Sequence, residues 1–340
     1  DFRLEHRLKQ AIVFKNYKTP TPIQDRAIPH ILNGADVVGV ADTGTGKTAA
    51  FLIPLINKIL LKSSEQVLII VPTRELALQI QDELAGLTRG MKIFSVSCVG
   101  GMSIGRQMSE LRYHNSFIIG TPGRLKDLIE RKNINLSKFN TIVLDEADRM
   151  LDMGFVNDMR LIMVGMPKER HTLLFSATIS REIDGLIHEF LKEPVRISVK
   201  TRDTAANVDQ DVIRIQQGDT KLDILHKLLN QPEFSKVLVF ARTKHGAENL
   251  SKNLMHKGFR AESIHGNKNQ SKRQQALNMF KSSRIQVLVA TDVAARGLDI
   301  ANVSHVINYD IPATYDDYIH RIGRTGRANK RGKALTFIGA

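Results

Sequence analysis

The 340-residue sequence contains one cysteine, Cys98, so it has no internal disulfide framework and no cysteine-based metal cluster. Cys98 lies in the apolar run 94–99, where a small buried hydrophobe is the simplest reading. No apolar stretch approaches the length that spans a bilayer, and no charged-then-apolar leader opens the chain. These absences argue against a stapled secreted scaffold and a membrane-embedded protein, and they suit a reducing cytoplasm. The first residue is Asp1 rather than methionine, as expected of a segment trimmed from a longer chain.

Negative charge is also scarce. Lys and Arg number 49 against 35 Asp and Glu, a net charge of +14. The excess is uneven: from residue 211 onward there are 21 basic and 11 acidic residues, leaving 28 and 24 before it. Such a balance suits a protein that neutralises phosphates, although a merely basic soluble surface has the same signature. The 42% hydrophobic and 25% charged content is that of a globular protein, and the length allows two domains with proper cores.

Short β-branched runs alternate with longer stretches of helical period. In the first half they fall at 37–40, 67–71, 93–99, 117–119, 142–144, 172–175 and 195–199. In the second half they fall at 212–215, 237–240, 262–264, 287–289, 305–307 and 335–338. Near-continuous apolar strands separated by helices predict parallel sheets covered on both faces. Residues 200–210 are polar and aperiodic, which predicts domains over 1–200 and 211–340 joined by a linker at 201–210.

The segment Ala41-Asp42-Thr43-Gly44-Thr45-Gly46-Lys47-Thr48 follows one such strand and opens a helical stretch. Glycines let backbone N–H groups turn inward on a phosphate, the lysine meets the β and γ phosphates, and the threonine hydroxyl suits Mg²⁺. The helix behind it presents its positive end to the anion. Ala41 departs from the general phosphate-loop pattern, which has glycine there. The competing reading, an ordinary strand-to-helix turn, does not require Gly-x-Gly-Lys-Thr. Asp145-Glu146 also follows a strand; alone it reads as a helix N-cap, but beside Lys47-Thr48 it reads as a Mg²⁺-holding Asp145 and a water-activating Glu146. Tyr318-Ile319-His320-Arg321-Ile322-Gly323-Arg324-Thr325-Gly326-Arg327 interleaves arginines with glycines, a spacing unusual for plain basic surface. If the second domain closes on the first, Arg324 and Arg327 reach the γ-phosphate as arginine fingers, a contribution of roughly 10³ to 10⁵ in rate.

Together these residues resemble the DEAD-box ATP-dependent RNA helicases of superfamily 2, over essentially the whole chain. The resemblance implies an α/β fold of two tandem RecA-like domains, with ATP and Mg²⁺ as cofactors and RNA as partner. Tyr17-Lys18-Thr19-Pro20-Thr21-Pro22-Ile23-Gln24 is similar to the Q motif, with Gln24 reading adenine and Tyr17 stacking on it. Motif I begins with alanine in this family, which accounts for Ala41. Its loop implies nucleotide contacts from Thr43, Gly44, Thr45, Gly46, Lys47 and Thr48, joined by Gly297 and Asp299 of motif V. Residues 145–148 spell the name-giving motif, and Ser176-Ala177-Thr178 resembles the motif coupling ATP use to strand separation. Catalytic roles carried over are those of Lys47, Asp145, Glu146, His320, Arg324 and Arg327, with Thr48 and Asp145 on the metal.

The resemblance places RNA across both domains, held through its backbone by Arg74, Gly101, Thr121, Arg124, Arg242, Gly266, Gln270, Arg273 and Thr291. No run of stacking aromatics is present, which suits sequence-tolerant backbone binding. Asn16 departs from the glycine common before the Q-motif aromatic, and Phe2 is a candidate, set a few residues close, for the family's upstream aromatic. Residues 150–155, Met-Leu-Asp-Met-Gly-Phe, are like those of bacterial RhlE-type members. A DNA-directed translocase of the same superfamily and a nucleotide-gated RNA clamp remain as alternatives, the latter disfavoured by the intact Asp145-Glu146 pair. A small-molecule kinase would not need the second motif-bearing domain.

Overall fold

The computed structural model describes residues 2–42, 44–199, 208–216, 218–295, 300, 302–326 and 332–339. Thr43, Gly297, Asp299 and Arg327 lie outside the described residues, as does the side chain of Gln270. The chain divides into two compact units, Asp1–Thr201 and Arg202–Ala340.

In the first unit two helices, α1 (His6–Phe14) and α2 (Pro22–Leu32), precede β1 (Val37–Ala41). Strands and helices then alternate through α3 (Lys47–Leu61), β2 (Val67–Ile70), α4 (Arg74–Leu87), β3 (Ser95–Cys98), α5 (Ile104–Leu111), β4 (Phe117–Gly120) and α6 (Pro122–Glu130). A 3₁₀ turn, Leu136–Lys138, leads to β5 (Thr141–Leu144), α7 (Ala147–Asp152), α8 (Val156–Gly165), β6 (His171–Ser176), α9 (Arg181–Phe190) and β7 (Val195–Val199). The seven strands form one sheet in the order β3-β4-β2-β5-β6-β1-β7, every pairing parallel. Alternate residues of each strand feed different cores. Val37 and Ala41 of β1 join one, with Val67 and Ile69 of β2, whereas Val38, Val40, Leu68 and Ile70 join the other. Burial on both faces is why these strands read as continuous apolar runs rather than alternating ones.

The second unit comprises β8 (Val208–Arg214), α10 (Lys221–Leu229), β9 (Val237–Phe240), α11 (Lys244–His256), β10 (Ala261–Ile264), α12 (Gln270–Lys281), β11 (Val287–Ala290), α13 (Asp292–Ala295), β12 (His305–Asn308), α14 (Tyr315–Ile322) and β13 (Gly332–Ile338). Its six strands are likewise all parallel, in the order β10-β11-β9-β12-β13-β8. Leu238 and Phe240 face one core and Val237 and Val239 the other.

The expected linker at 201–210 runs too far. Residues 208–210 already belong to β8, Val208 pairing with Gly332 and Gln210 with Ala334. This strand closes the sheet's edge; its later part falls in the expected run at 212–215, but Val208 is followed by Asp209, Gln210 and Asp211, so its start carries no apolar run.

Gly39 pairs with Phe175 across β1 and β6, and a Cβ built on Gly39 would lie 2.5 Å from the Phe175 ring. That ring is fully buried and tilts against Phe51 at 5.4 Å, so it has little room to retreat. Gly39→Ala is therefore expected to destabilise the first unit by about 1–3 kcal/mol, read as a lower denaturant midpoint with an unchanged slope.

Candidate functional site

The candidate residues of the first unit gather where its strands end. β1 runs into the glycine loop, and Gly44 and Gly46 adopt φ of +82° and +95°, a region closed to most side chains. A Cβ on Gly46 would fall 2.4 Å from Gln24 Nε2 and 2.9 Å from Thr21 Oγ1, so this glycine also permits a close approach. Gly46 caps α3 without a side-chain acceptor, which leaves the first N–H groups of a 15-residue helix facing the loop. Lys47 is buried and its ammonium donates to the Ala41 carbonyl at 2.5 Å. Thr45 Oγ1 donates to Asp42 O at 2.7 Å, and half-buried Thr48 follows in the first turn of α3. Left-handed glycines, an uncapped helix start and a lysine suit a bound phosphate.

Gln24 is bonded at both ends of its amide. Its Oε1 accepts from Thr21 N at 2.9 Å and its Nε2 donates to Gly46 O at 3.1 Å, so both ends of the amide are bonded to backbone, one to the phosphate loop. Tyr17 is partly exposed and its hydroxyl donates to Glu83 of α4 at 2.5 Å. Burial first, and then the Glu83 carboxylate, push its phenol well above the usual range. Asn16 has φ of +58°, which explains glycine at the corresponding position in the family and shows why asparagine is tolerated. Phe2 packs, partly buried, against the core of this unit.

Asp145, Glu146 and Asp148 follow β5 and are 2%, 6% and 8% exposed. Asp145 accepts from Glu146 N at 3.0 Å; burial pushes its carboxyl up to about 7, against the pull of the Lys47 charge. Glu146 takes φ of +54° at the start of α7 and pairs with buried Arg149. Asp148 Oδ2 accepts from Ala177 N at 3.0 Å, Thr178 N at 3.1 Å and Thr178 Oγ1 at 3.3 Å. Ser176 Oγ donates to Thr178 O at 2.8 Å, so the end of β5 is tied to the loop after β6. Among the described residues no group of three or more His, Cys, Asp or Glu could cage a metal. The donor set, Asp145 carboxylate with Thr48 hydroxyl, fits a Mg²⁺ carried largely by nucleotide phosphates and water.

A second cluster lies at the ends of β2, β3 and β4. Arg74 opens α4 and its guanidinium lies over Gly100 and Gly101, since a Cβ on Gly101 would fall 2.0 Å from Nη1. Thr121 caps α6, while Arg124 donates to Gln107 Oε1 at 2.9 Å and to Met102 O at 3.3 Å. The structure thus brings Arg74, Gly101, Thr121 and Arg124 to one edge. Cys98 is buried beside them, and burial pushes its thiol up to about 12, far from a nucleophile's range.

In the second unit Arg242 follows β9 and is exposed, its backbone N–H bonded to Asp310 Oδ2 at 2.9 Å. A Cβ on exposed Gly266 would meet open space, half-buried Arg273 lies in α12, and buried Thr291 follows β11. His320 and Arg324 lie at the end of α14, where the Arg324 Nε donates to His320 O at 3.3 Å and Arg324 is 4% exposed. Between these stands a residue that sequence reasoning did not single out. Arg321 is 2% exposed and donates to both Asp292 oxygens at 2.6 and 2.7 Å, to Asn308 Oδ1 at 3.2 Å and to Asp310 O at 2.6 Å. It locks the ends of β11 and β12 together. Asp148 was likewise missed as a site residue, although both lay inside quoted motifs.

The DEAD/DEAH box helicase family matches residues 21–186 and the helicase conserved C-terminal domain matches residues 220–329. The DEAD-box ATP-dependent RNA helicase CshA of Bacillus subtilis is 46% identical over 99% of this chain and 69% of its own length. The ATP-dependent RNA helicase CshA of Listeria monocytogenes is 45% identical over 99% of this chain and 65% of its own. The chain therefore spans about two thirds of the length of these relatives. These CshA relatives give no support to an RhlE-type assignment from residues 150–155. Among solved structures, Mss116p bound to single-stranded RNA and AMP-PNP aligns with a TM-score of 0.88 at 32% identity, over 99% of this chain and 73% of that one. Dbp5 of Saccharomyces cerevisiae, bound to RNA and ADP-BeF₃, aligns with a TM-score of 0.87 at 30% identity over 99% and 88%.

The raised carboxyl of Asp145 has a consequence for stability. A carboxyl with a raised folded value favours the fold below its unfolded value of 3.8, and that advantage is lost as pH rises through about 7. Without nucleotide, Asp145→Asn is accordingly expected to gain stability relative to the parent between pH 4 and pH 8, measured by thermal unfolding across that range.

Proposed function

The chain belongs to the DEAD-box ATP-dependent RNA helicases of superfamily 2, two RecA-like domains in tandem, and from that premise we propose that it couples ATP hydrolysis to local opening of RNA duplexes or remodelling of RNA–protein assemblies. The observation that carries the reading is the Asp148 bridge, which joins the nucleotide-facing carboxylates to the 176–178 loop. A nucleotide pocket with no further task has no need of that link.

In this reading residues 44–48 hold the triphosphate, with Thr43, Gly297 and Asp299 completing the set. Lys47 lies on the β and γ phosphates, and Gln24 serves the loop through Gly46 as well as facing adenine. A Mg²⁺ held by Thr48 and Asp145 would neutralise phosphate charge. Glu146 orients the attacking water. The water oxygen bonds to the γ-phosphorus, its proton passes to the Glu146 carboxylate, and the bond to the β–γ bridging oxygen breaks with its electron pair leaving on ADP. His320, Arg324 and Arg327 serve the γ-phosphate when ATP and RNA are both bound.

RNA is held through phosphate and ribose by Arg74, Gly101, Thr121 and Arg124 in the first unit, and by Arg242, Gly266, Gln270, Arg273 and Thr291 in the second. No helix among the described residues is long and apolar enough to cross a membrane, and the buried thiol suits a reducing compartment, so we assign the work to the cytoplasm.

Single-stranded RNA is expected to raise the ATPase rate of this chain well above that of matched DNA, and a short duplex is expected to open only with hydrolysable ATP. Glu146→Gln should retain ATP and RNA binding and lose about 10² to 10⁴ in turnover. Steady-state ATPase with RNA titration checks both; equal stimulation by DNA would point to a DNA translocase, and turnover without strand opening to a clamp.

A further inference from the structure

Behind the RNA-facing edge of the first unit lies a buried polar side chain that touches no ligand in the proposed function. Gln107, in α5, is 3% exposed, so its amide has to be satisfied from within the fold. Its Nε2 donates to Val99 O at 3.0 Å, and its Oε1 accepts from Arg124 Nη1 at 2.9 Å. Val99 leads directly into Gly100 and Gly101, the turn over which the Arg74 guanidinium lies. One buried amide therefore joins two elements, the 99–102 turn and Arg124, that the proposed function places on the RNA backbone.

The donor and acceptor chemistry fixes this arrangement. A carbonyl only accepts and a guanidinium only donates, so a single orientation of the amide serves both. Glutamate at 107 would hold the guanidinium but turn an acceptor on Val99 O, and an apolar side chain would leave both groups unmet. Arg124 Nη1 also donates to Met102 O at 3.3 Å, so both of its N–H groups are taken up by the protein, at 102 and at 107. That leaves Nη2 as the group that can meet a phosphate oxygen. The Arg124 side chain is only 13% exposed, with Nε 3.9 Å from Asp127 Oδ2. An arginine ordered in this way before RNA arrives loses less freedom on binding than a mobile surface arginine does.

We propose that Gln107 is a positioning residue for RNA binding, whose amide sets the Arg124 guanidinium against the 99–102 turn so that one backbone phosphate meets both in a preformed cradle. The inference rests on the proposed RNA contacts of Arg124 and Gly101. It goes beyond them by naming the group that holds them in register.

The test is the affinity of the whole chain for fluorescein-labelled single-stranded oligouridylate in the presence of AMP-PNP, read by anisotropy over a series of salt concentrations. The proteins are the parent, Q107M, Q107E, R124A and the Q107M/R124A double variant. Methionine fills the space of glutamine and makes neither bond. Q107M should therefore raise the Kd for RNA at least about fivefold, the contribution of one ordinary net hydrogen bond. The slope of log Kd against log salt should flatten by about 0.7, the value for one phosphate of a single strand. In the R124A background the same substitution should change Kd by less than about twofold, since the group it positions is gone. RNA-free kcat and KM for ATP should stay within about twofold of the parent in Q107M, whereas a merely structural role would disturb them and leave the salt slope unmoved. A Q107M Kd within twofold of the parent overturns the proposal, as does a Q107M loss that persists in full beside R124A. Should Q107M fail to fold, an RNA Kd for Q107E within twofold of the parent does the same, because a carboxylate there cancels the Arg124 charge. Failure of the underlying reading is distinguishable: R124A itself then binds RNA as the parent does, which overturns the contact and the proposal with it.

Discussion

Three carboxylates within four residues, Asp145, Glu146 and Asp148, are buried at the end of β5, and each is held by a different means. Asp145 is balanced by the charge of Lys47 from the glycine loop. Glu146 is paired with Arg149 in the same helix. Asp148 is bonded to the amides of residues 177 and 178 at the end of β6. Burying negative charge without such partners is strongly unfavourable, so the glycine loop, α7 and the 176–178 loop must keep their places together. The wholly parallel sheet makes this possible, because β1, β5 and β6 all deliver their carboxyl ends to one edge.

The second unit solves the opposite problem with the same architecture. Its buried charge is positive: Arg321 sits over the Phe240 ring at 5.0 Å and spends its donors on Asp292, Asn308 and Asp310. Asp310 in turn holds the Arg242 backbone, so three strand ends meet on one guanidinium. Arg324, one turn on, is buried as well. The first unit thus buries carboxylates and the second arginines.

Most strands were legible because burial on both faces leaves an uninterrupted apolar run, as in 67–71 and 237–240. The start of β8 was not, since Val208 is followed by Asp209, Gln210 and Asp211 on an edge strand and looks like the polar linker it continues. The phosphate loop was legible because glycine is required at φ of +82° and +95°, and the residues that demand it are adjacent in sequence. Arg321 and Asp148 lie within the quoted motifs, yet their roles were not legible there. Their meaning lies in partners set by topology: Asp292 is 29 residues from Arg321, and Ala177 is 29 from Asp148. Gln24 was legible as an amide near the site, but its bond to Gly46 depends on α2 packing beside the loop.

The central claim is that the carboxylates after β5 and the loop after β6 act as one unit through Asp148. A double-mutant cycle of Asp148→Asn and Thr178→Val on RNA-stimulated kcat tests it most directly. The account predicts that the double variant is no slower than the slower single one, because both substitutions break the same bridge. If the two losses multiply, the bridge does not couple them and the account is wrong.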